Sequence, residues 1–401
     1  MAVFAGREKL RRWSPRTSNY LIICRKAEGF LMVMLTTEQF KNTAAYKNAI
    51  LNIEEARQKK EILQSYPFKL FVEPTQRCDL NCIMCRPRRR MSKEDMPLEL
   101  FRQIEKALFP YASEVDFFFT GEPAMAVNFQ KMIETSAGYA FLPLVFTNAV
   151  NTKEEIIKML VELGFFVNIS LDAVTPALYE RIRRGAQLSK VMANIDKYVA
   201  LREKIKNPRF HIRIAVTCSP FNIDEILKIM EFIKERGIND IFLNNCDMAV
   251  FDRQFYLSTI AEKAYRIFTE AKAFADANRI RFSCQKMVGK LELEKNNNWD
   301  DFSLPIDNYA MPYLEKYNPY RGKCPYPWME TVIRTDGTVM SCCQGRIKMG
   351  KYSGGDFRPI WNNGKYRKLR KRRAYYRCGA RWYRWYCNMA CTSVHQPNPE
   401  P

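Results

Sequence analysis

Apolar and polar positions alternate between two textures in the middle of the chain. Short continuous apolar runs ("FKLFVEP", "EVDFFFTGEP", "LPLVFTNAV", "FVNISLDA", "FHIRIAVTCS", "DIFLNNCD") are each followed by a stretch with apolar residues at helical spacing. The intervening helices are predicted at "LELFRQIEKAL", "NFQKMIETSAG", "TKEEIIKMLVELG", "PALYERIRRG" with "LSKVMANIDKYVALREKI", and "IDEILKIMEFIKERG". Thr152 is placed to cap one of them, and a glycine follows another as a C-cap. Continuous apolar strands separated by amphipathic helices predict a parallel sheet with helices on its outer face. Six such units predict an α/β fold, a partial (β/α)6 TIM-like barrel. Its chemistry would then sit at the strand C-terminal ends.

The flanks read differently. Residues 1–66 read as an N-terminal extension, with helix-forming composition from Lys41 to Ser65 and no strand-rich winged pattern. Met32 and Met34 are candidate internal starts. The run "YLIICRKAEGFLMVML" is interrupted by Arg25, Lys26 and Glu28, so no membrane span is expected, and no secretory cleavage site follows. The barrel is assigned to 67–250. Residues 251–318 read as an insertion and linker holding a helix and a short strand. Residues 319–395 form a small cysteine-rich C-terminal domain, with a β-hairpin signalled by Asp336-Gly337.

Composition adds two facts. The 13 cysteines are bunched rather than evenly paired, which points to metal or redox chemistry in a reducing, cytoplasmic setting. The formal net charge is +21, and no Asp or Glu occurs between Lys365 and His395. That basic, aromatic stretch fits a solvated face, a nucleic-acid footprint, or the attraction of an acidic protein or anionic substrate.

"VEPTQRCDLNCIMCRP" carries Cys78, Cys82 and Cys85 in C-x3-C-x2-C spacing directly after the first barrel strand. The same positions are one face of a helix, so three buried core thiols are the plain alternative. Pro74 and Pro87 bracket the stretch and Arg86, Arg88, Arg89 and Arg90 crowd its end, which argues against that alternative. A structural zinc wants four ligands, and the two histidines, His211 and His395, are far away in sequence. An iron–sulfur cube held by three thiolates keeps one iron open, which is how a site becomes catalytic.

This loop, after the first strand of a (β/α)6 chain, resembles that of the radical S-adenosylmethionine (SAM) superfamily. The resemblance implies a [4Fe–4S] cluster on Cys78, Cys82 and Cys85. Its open iron would chelate the amino and carboxylate groups of SAM, and its electron would cleave SAM to a 5′-deoxyadenosyl radical that abstracts hydrogen from a substrate. Thr120, Gly121, Glu122 and Pro123 are similar to the family's G-G-E-P element, whose backbone receives the SAM amino group. Ser170 and Asp172 of "NISLDA" fall near the ribose or methionine moiety, with Arg183 as partner for the SAM carboxylate and Asn148 facing the mouth. Met84 stands where the family has an aromatic residue.

Cys324-x12-Gly337-x4-Cys342, then Cys378-x2-Arg381-x5-Cys387-x3-Cys391, resembles the SPASM extension of such enzymes, in a degenerate, twitch-type form. Arg381 replaces one cysteine and the last is missing. The resemblance implies one auxiliary [4Fe–4S] cluster at most, on Cys324, Cys342, Cys391 and one of Cys378, Cys387 or Cys343; a zinc site and a metal-free module are the rivals. Cys24, Cys218, Cys246 and Cys284 read as inert buried thiols. No general base is named, although Asp247 and Asp252 lie near the sixth strand's end. The expected function is hydrogen abstraction from a peptide side chain or small metabolite, with an acidic reductant such as flavodoxin or ferredoxin as partner. An RNA-modifying radical SAM enzyme and a non-catalytic iron–sulfur or zinc scaffold are the alternatives.

Overall fold

The computed structural model describes residues 19–26, 29–85, 93–246, 253–284, 326–342 and 347–374. The chain begins with an antiparallel pair, β1 (Asn19–Lys26) and β2 (Gly29–Thr36), followed by α1 (Thr37–Lys41) and α2 (Ala44–Arg57). The extension therefore contains strands that its sequence was not expected to hold. A run too charged for a membrane span, with apolar stretches on both sides of a polar break, folds back on itself as a hairpin.

The six expected barrel strands all form. They are β3 (Lys69–Val72), β4 (Glu114–Asp116), β5 (Leu142–Thr147), β6 (Phe166–Ser170), β7 (His211–Cys218) and β8 (Asp240–Asn245). They lie side by side in chain order, all parallel. Between them run α3 (Leu98–Leu108), α4 (Phe129–Glu134), α5 (Glu154–Glu162), α6 (Pro176–Ile182), α7 (Leu188–Ile205) and α8 (Ile226–Glu235).

The sheet continues past both ends of this set. The segment expected to be an insertion supplies α9 (Ala261–Ala277) and β9 (Arg281–Cys284), which pairs parallel with β8. At the other edge, the C-terminal part supplies α10 (Tyr326–Met329), β10 (Glu330–Ile333), β11 (Thr338–Met340) and β12 (Lys348–Lys351), then α11 (Arg358–Trp361) and α12 (Gly364–Ala374). β10 pairs parallel with β3, while β11 and β12 add antiparallel, so the hairpin is welded to the barrel sheet. Its turn is the expected one. Gly337 has φ +81°, and Asp336 accepts from the Thr338 amide and hydroxyl, each at 2.9 Å. The buried Asn52 of α2 donates to the Trp328 carbonyl at 2.6 Å, and the buried Arg370 donates to the Pro327 and Glu61 carbonyls. These bonds tie the extension to the C-terminal part.

Alternation along each strand divides the sheet into two unlike faces. Val115, Phe117, Val145, Val167, Ile169, Ile214, Val216 and Ile241 are buried in one large apolar core that includes the helix residues Ile104, Ile157, Leu160, Ile195 and Ile229. The opposite face carries Lys69, Glu114, Asp116, Asn168, His211, Arg213 and Asp240. Lys69 lies 2.5 Å from Glu114, and Asp240 takes Arg213 at 2.9 Å and His211 at 2.8 Å. A buried charge needs a partner, and these pairs supply it. Burial works to raise the Asp240 pKa, but Arg213 and His211 outweigh it and hold the carboxyl below its usual range.

A group held below its unfolded pKa contributes stability above that value and loses it as pH falls. Asp240→Asn is therefore expected to cost about 3–5 kcal/mol at neutral pH, because it leaves Arg213 buried without its counter-charge. The gap from the parent protein should narrow as pH is lowered through about 4 in thermal melts. A gap independent of pH would show that the carboxylate's charge contributes nothing.

Candidate active site

The cysteine loop leaves β3 at Glu73 and passes over the C-terminal edge of the sheet. Its path is set by backbone contacts. The Glu122 amide donates to the Arg77 carbonyl at 2.8 Å, the Asn81 amide to Arg184 at 2.8 Å, and the Ile83 amide to Ile182 at 2.9 Å. Arg77 grips Asp95 through Nε and Nη2 at 2.9 and 2.6 Å, and Thr75 donates to the same carboxylate at 2.6 Å. Gly121 lies directly against this loop. A Cβ there would stand 2.5 Å from both the Thr75 and Arg77 carbonyl oxygens, so only glycine fits.

Cys78 and Cys82 are half-buried and Cys85 is exposed. Burial pushes the Cys78 thiol up to about 11. Burial also raises Cys82, with Arg183 acting in the opposite direction. Cys78 feels the charge of Cys82, and Cys82 that of Cys85, so the three thiols form one electrostatic group. Cys78 and Cys82 keep their protons until a metal replaces them. Among the described residues no three His, Cys, Asp or Glu side chains are drawn together closely enough for a single metal ion. Three sulfurs from one loop, with no histidine among them, have the chemistry of an iron–sulfur ligand set. Met84, where an aromatic residue was expected, is buried with Ile182, Cys246 and Phe255 and keeps the apolar cover.

The strand ends bring the other expected residues to this loop. Glu122 is buried and accepts from the Asn148 amide at 2.7 Å, the Thr147 hydroxyl at 2.8 Å and the Ala124 amide at 3.4 Å. Burial raises its pKa to about 7 against the pull of those donors. Pro123 opens the short 3-10 turn Pro123–Met125. Asn148 donates its side-chain amide to Asp79 at 2.7 Å, and Asn151 donates to the other oxygen of the same carboxylate at 2.7 Å. Ala149, next in the chain, sits at φ +54°, a left-handed turn that lets Asn148 meet Glu122 and Asp79 together. Ser170 is half-buried at the end of β6.

Two of the expected residues have side-chain partners within the protein. The Thr120 hydroxyl donates to Glu73 Oε1. Arg183, expected to meet a SAM carboxylate, lies with its Nε 2.8 Å from Asp172 Oδ2, in a buried ion pair whose angle is not that of a hydrogen bond. Burial opposes the Arg183 charge, and Asp172 and Cys82 more than restore it.

Several residues at the site were not singled out in the sequence. Asp79 lies inside the cysteine motif, the one cue that marked it. Glu73 is fully buried and joins Thr120 to the C-terminal hairpin through Arg334 at 3.1 Å and the Thr335 amide at 3.3 Å. The buried Tyr179 hydroxyl senses Arg183, Asp172 and Cys82 and finds no hydrogen-bond partner among the described residues. Cys218, Cys246 and Cys284 are buried as expected. Cys342 is buried just past β11, and the Tyr366 phenol senses it. Cys324, Cys343, Cys378, Cys387, Cys391, Arg381, Asp247 and Asp252 lie outside the described residues.

Residues 72–233 match the radical SAM superfamily, and residues 324–388 match the SPASM iron–sulfur cluster-binding domain. The chain is 26% identical over 211 residues to the tungsten-containing aldehyde ferredoxin oxidoreductase cofactor-modifying protein of Pyrococcus furiosus, covering 49% of this chain and 59% of that protein. It is 28% identical over 182 residues to GTP 3′,8-cyclase of Clostridium botulinum, covering 43% of this chain and 55% of that enzyme. The chain thus spans little more than half the length of these curated relatives. Among solved structures, Streptococcus suis SuiB bound to S-adenosylmethionine superposes with TM-score 0.61 at 15% identity, covering 86% of this chain and 77% of SuiB. Native anSMEcpe with bound AdoMet superposes with TM-score 0.57 at 19% identity, covering 75% of this chain and 83% of the other. These likenesses show the shared fold. Radical SAM domains bind a [4Fe–4S] cluster and SAM, and SPASM domains bind auxiliary iron–sulfur clusters.

Anaerobic reconstitution of Cys78→Ala/Cys82→Ala/Cys85→Ala is expected to yield roughly four irons fewer per chain than the parent protein. Equal iron and sulfide in the two proteins would remove the cluster from this loop.

Proposed function

We propose, from the premise that this chain carries a radical SAM domain joined to a SPASM iron–sulfur domain, that it is a radical SAM enzyme acting on a peptide side chain. The carrying observation is the thiol group of Cys78, Cys82 and Cys85, braced by the buried Glu122 and the Asp79–Asn148 contact. When bound, the [4Fe–4S] cluster supplies one electron to SAM, and the 5′-deoxyadenosyl radical so released takes a hydrogen atom from the substrate.

The chain's own residues bind, orient and seclude. Cys78, Cys82 and Cys85 would hold the cluster. The Gly121–Pro123 backbone lies against the cysteine loop and would receive the SAM amino group. Asp172 holds Arg183 beside Cys82, where the guanidinium keeps a positive potential for the thiolates and for a SAM carboxylate. Ser170 and Asn148 stand at neighbouring strand ends, within the same mouth. Met84, Ile182 and Phe255 exclude water from one side.

Support for a peptide substrate comes from neighbours of the same fold that were solved with one: SuiB with its precursor peptide SuiA, and anSMEcpe with a Cp18Cys peptide. The curated relatives, a cofactor-modifying protein and a nucleotide cyclase, make a small metabolite the second reading. No helix among the described residues is long and apolar enough to cross a membrane.

With dithionite and SAM, reconstituted protein is expected to release 5′-deoxyadenosine, and Arg183→Leu should release it at least roughly tenfold more slowly. Chromatographic assay of the nucleoside checks both. Iron-loaded protein that releases none would count for a non-catalytic scaffold.

A further inference from the structure

Asp79 is the one charged residue between Cys78 and Cys85. Its side chain is half-buried, and each oxygen of the carboxylate has a different partner. Oδ1 accepts from the Asn148 side-chain amide and Oδ2 from that of Asn151, each at 2.7 Å. The Cys78 Sγ lies 3.9 Å from the same Oδ1. Both partners of the carboxylate are neutral amides. Among the described residues no Lys or Arg forms an ion pair with it, whereas Asp172 is matched by Arg183 at 2.8 Å.

Both asparagines come from one fixed turn after β5. Ala149, between them, is buried in the left-handed region at φ +54°. Three bonds hold the turn there. The Asn148 amide donates to Glu122 at 2.7 Å, the Val150 amide donates to Asn148 Oδ1 at 2.9 Å, and Asn194 of α7 donates to the Ala149 carbonyl at 2.8 Å. The carboxylate is thus gripped at both oxygens by a braced segment. It cannot swing from Cys78 into solvent without losing both bonds.

We propose that Asp79 is a positioning residue whose charge, fixed beside Cys78 by the two asparagines, keeps a cluster on this loop difficult to reduce. This rests on the reading above that Cys78, Cys82 and Cys85 hold the cluster. Reduction by one electron adds negative charge to a cluster, and a carboxylate held nearby opposes it. Amides fix the carboxylate and leave its charge in place, where a Lys or Arg partner would cancel it. The Cys78 thiol feels the same sign of effect: burial raises its pKa most, and Glu122 and Asp79 also oppose the thiolate. A low potential suits the chemistry, because one-electron cleavage of a sulfonium carbon–sulfur bond needs a strongly reducing donor.

The test is a redox titration of the anaerobically reconstituted full chain without SAM. The readout is the paramagnetic signal of the reduced cluster that Cys78→Ala/Cys82→Ala/Cys85→Ala lacks. Asp79→Asn is expected to raise the midpoint, with the equilibrium constant for one-electron reduction up roughly tenfold. Asp79→Glu keeps the charge and should stay within about threefold of the parent. Asn151→Lys changes an exposed side chain, offers Asp79 a cation, and should also raise the midpoint. Iron per chain and thermal midpoint are measured on every protein. A purely structural clamp would lower those two quantities and leave the potential of the remaining cluster unchanged, a result that overturns the proposal. If Asp79→Asn loses its iron altogether, Asn151→Lys decides, and a midpoint no higher than the parent's overturns the proposal. A parent protein with no iron on this loop overturns the reading beneath the proposal, and the proposal with it.

Discussion

Position 121 has no room for a side chain, and the site depends on that fact. The carbonyls of Thr75 and Arg77 close on the glycine from one side, and the amide of Glu122 reaches the Arg77 carbonyl from the next residue. Two loops from neighbouring strands are thereby held backbone to backbone. The cysteine loop cannot lift from the sheet without breaking that contact, the Arg77–Asp95 grip and the bonds from Ile83 to the last residue of α6 and from Asn81 to Arg184 just after it. The thiols are presented by a loop braced through its backbone, and such bracing reduces the ordering cost of binding a cofactor.

The sheet has two different solvents on its two faces. Helices cover one face with a continuous hydrocarbon core, which supplies the stability. The other face holds paired charges, and toward the mouth it ends in polar groups: Asn168, Ser170, Asp172 and Asn148. Asn168 is fully buried and neither atom of its amide finds a hydrogen-bond partner among the described residues. Unmet polar groups there, together with the Tyr179 hydroxyl beside Arg183, mark a concave face built for polar occupants rather than for packing.

The C-terminal module is an extension of the barrel sheet. β10 continues it beside β3, and Glu73 lies at the junction, shared by Thr120 from the loop after β4 and by Arg334 and Thr335 from the hairpin. A buried carboxylate bonded to both sides couples their positions. The loop beside the three cysteines and the strand leading to Cys342 are therefore joined through one buried carboxylate.

The sequence by itself determined the six central strands, the cysteine loop, the residues at the strand ends and the turn at Asp336-Gly337. Each is encoded locally, by apolar runs of strand length, by fixed ligand spacing, or by a glycine where φ must be positive. The ends of the sheet were decided only in three dimensions. β9 and β10, both expected as strands, are four residues each, too short to announce a partner, and they join β8 and β3 because exposed edges of a parallel sheet accept them. Individual side chains were decided there as well. Thr120 turned to Glu73, Arg183 to Asp172, and Asp79 became the junction for Asn148 and Asn151. A motif specifies which residues reach the mouth, but their partners come from distant strands, and only the assembled sheet brings those opposite charges within reach.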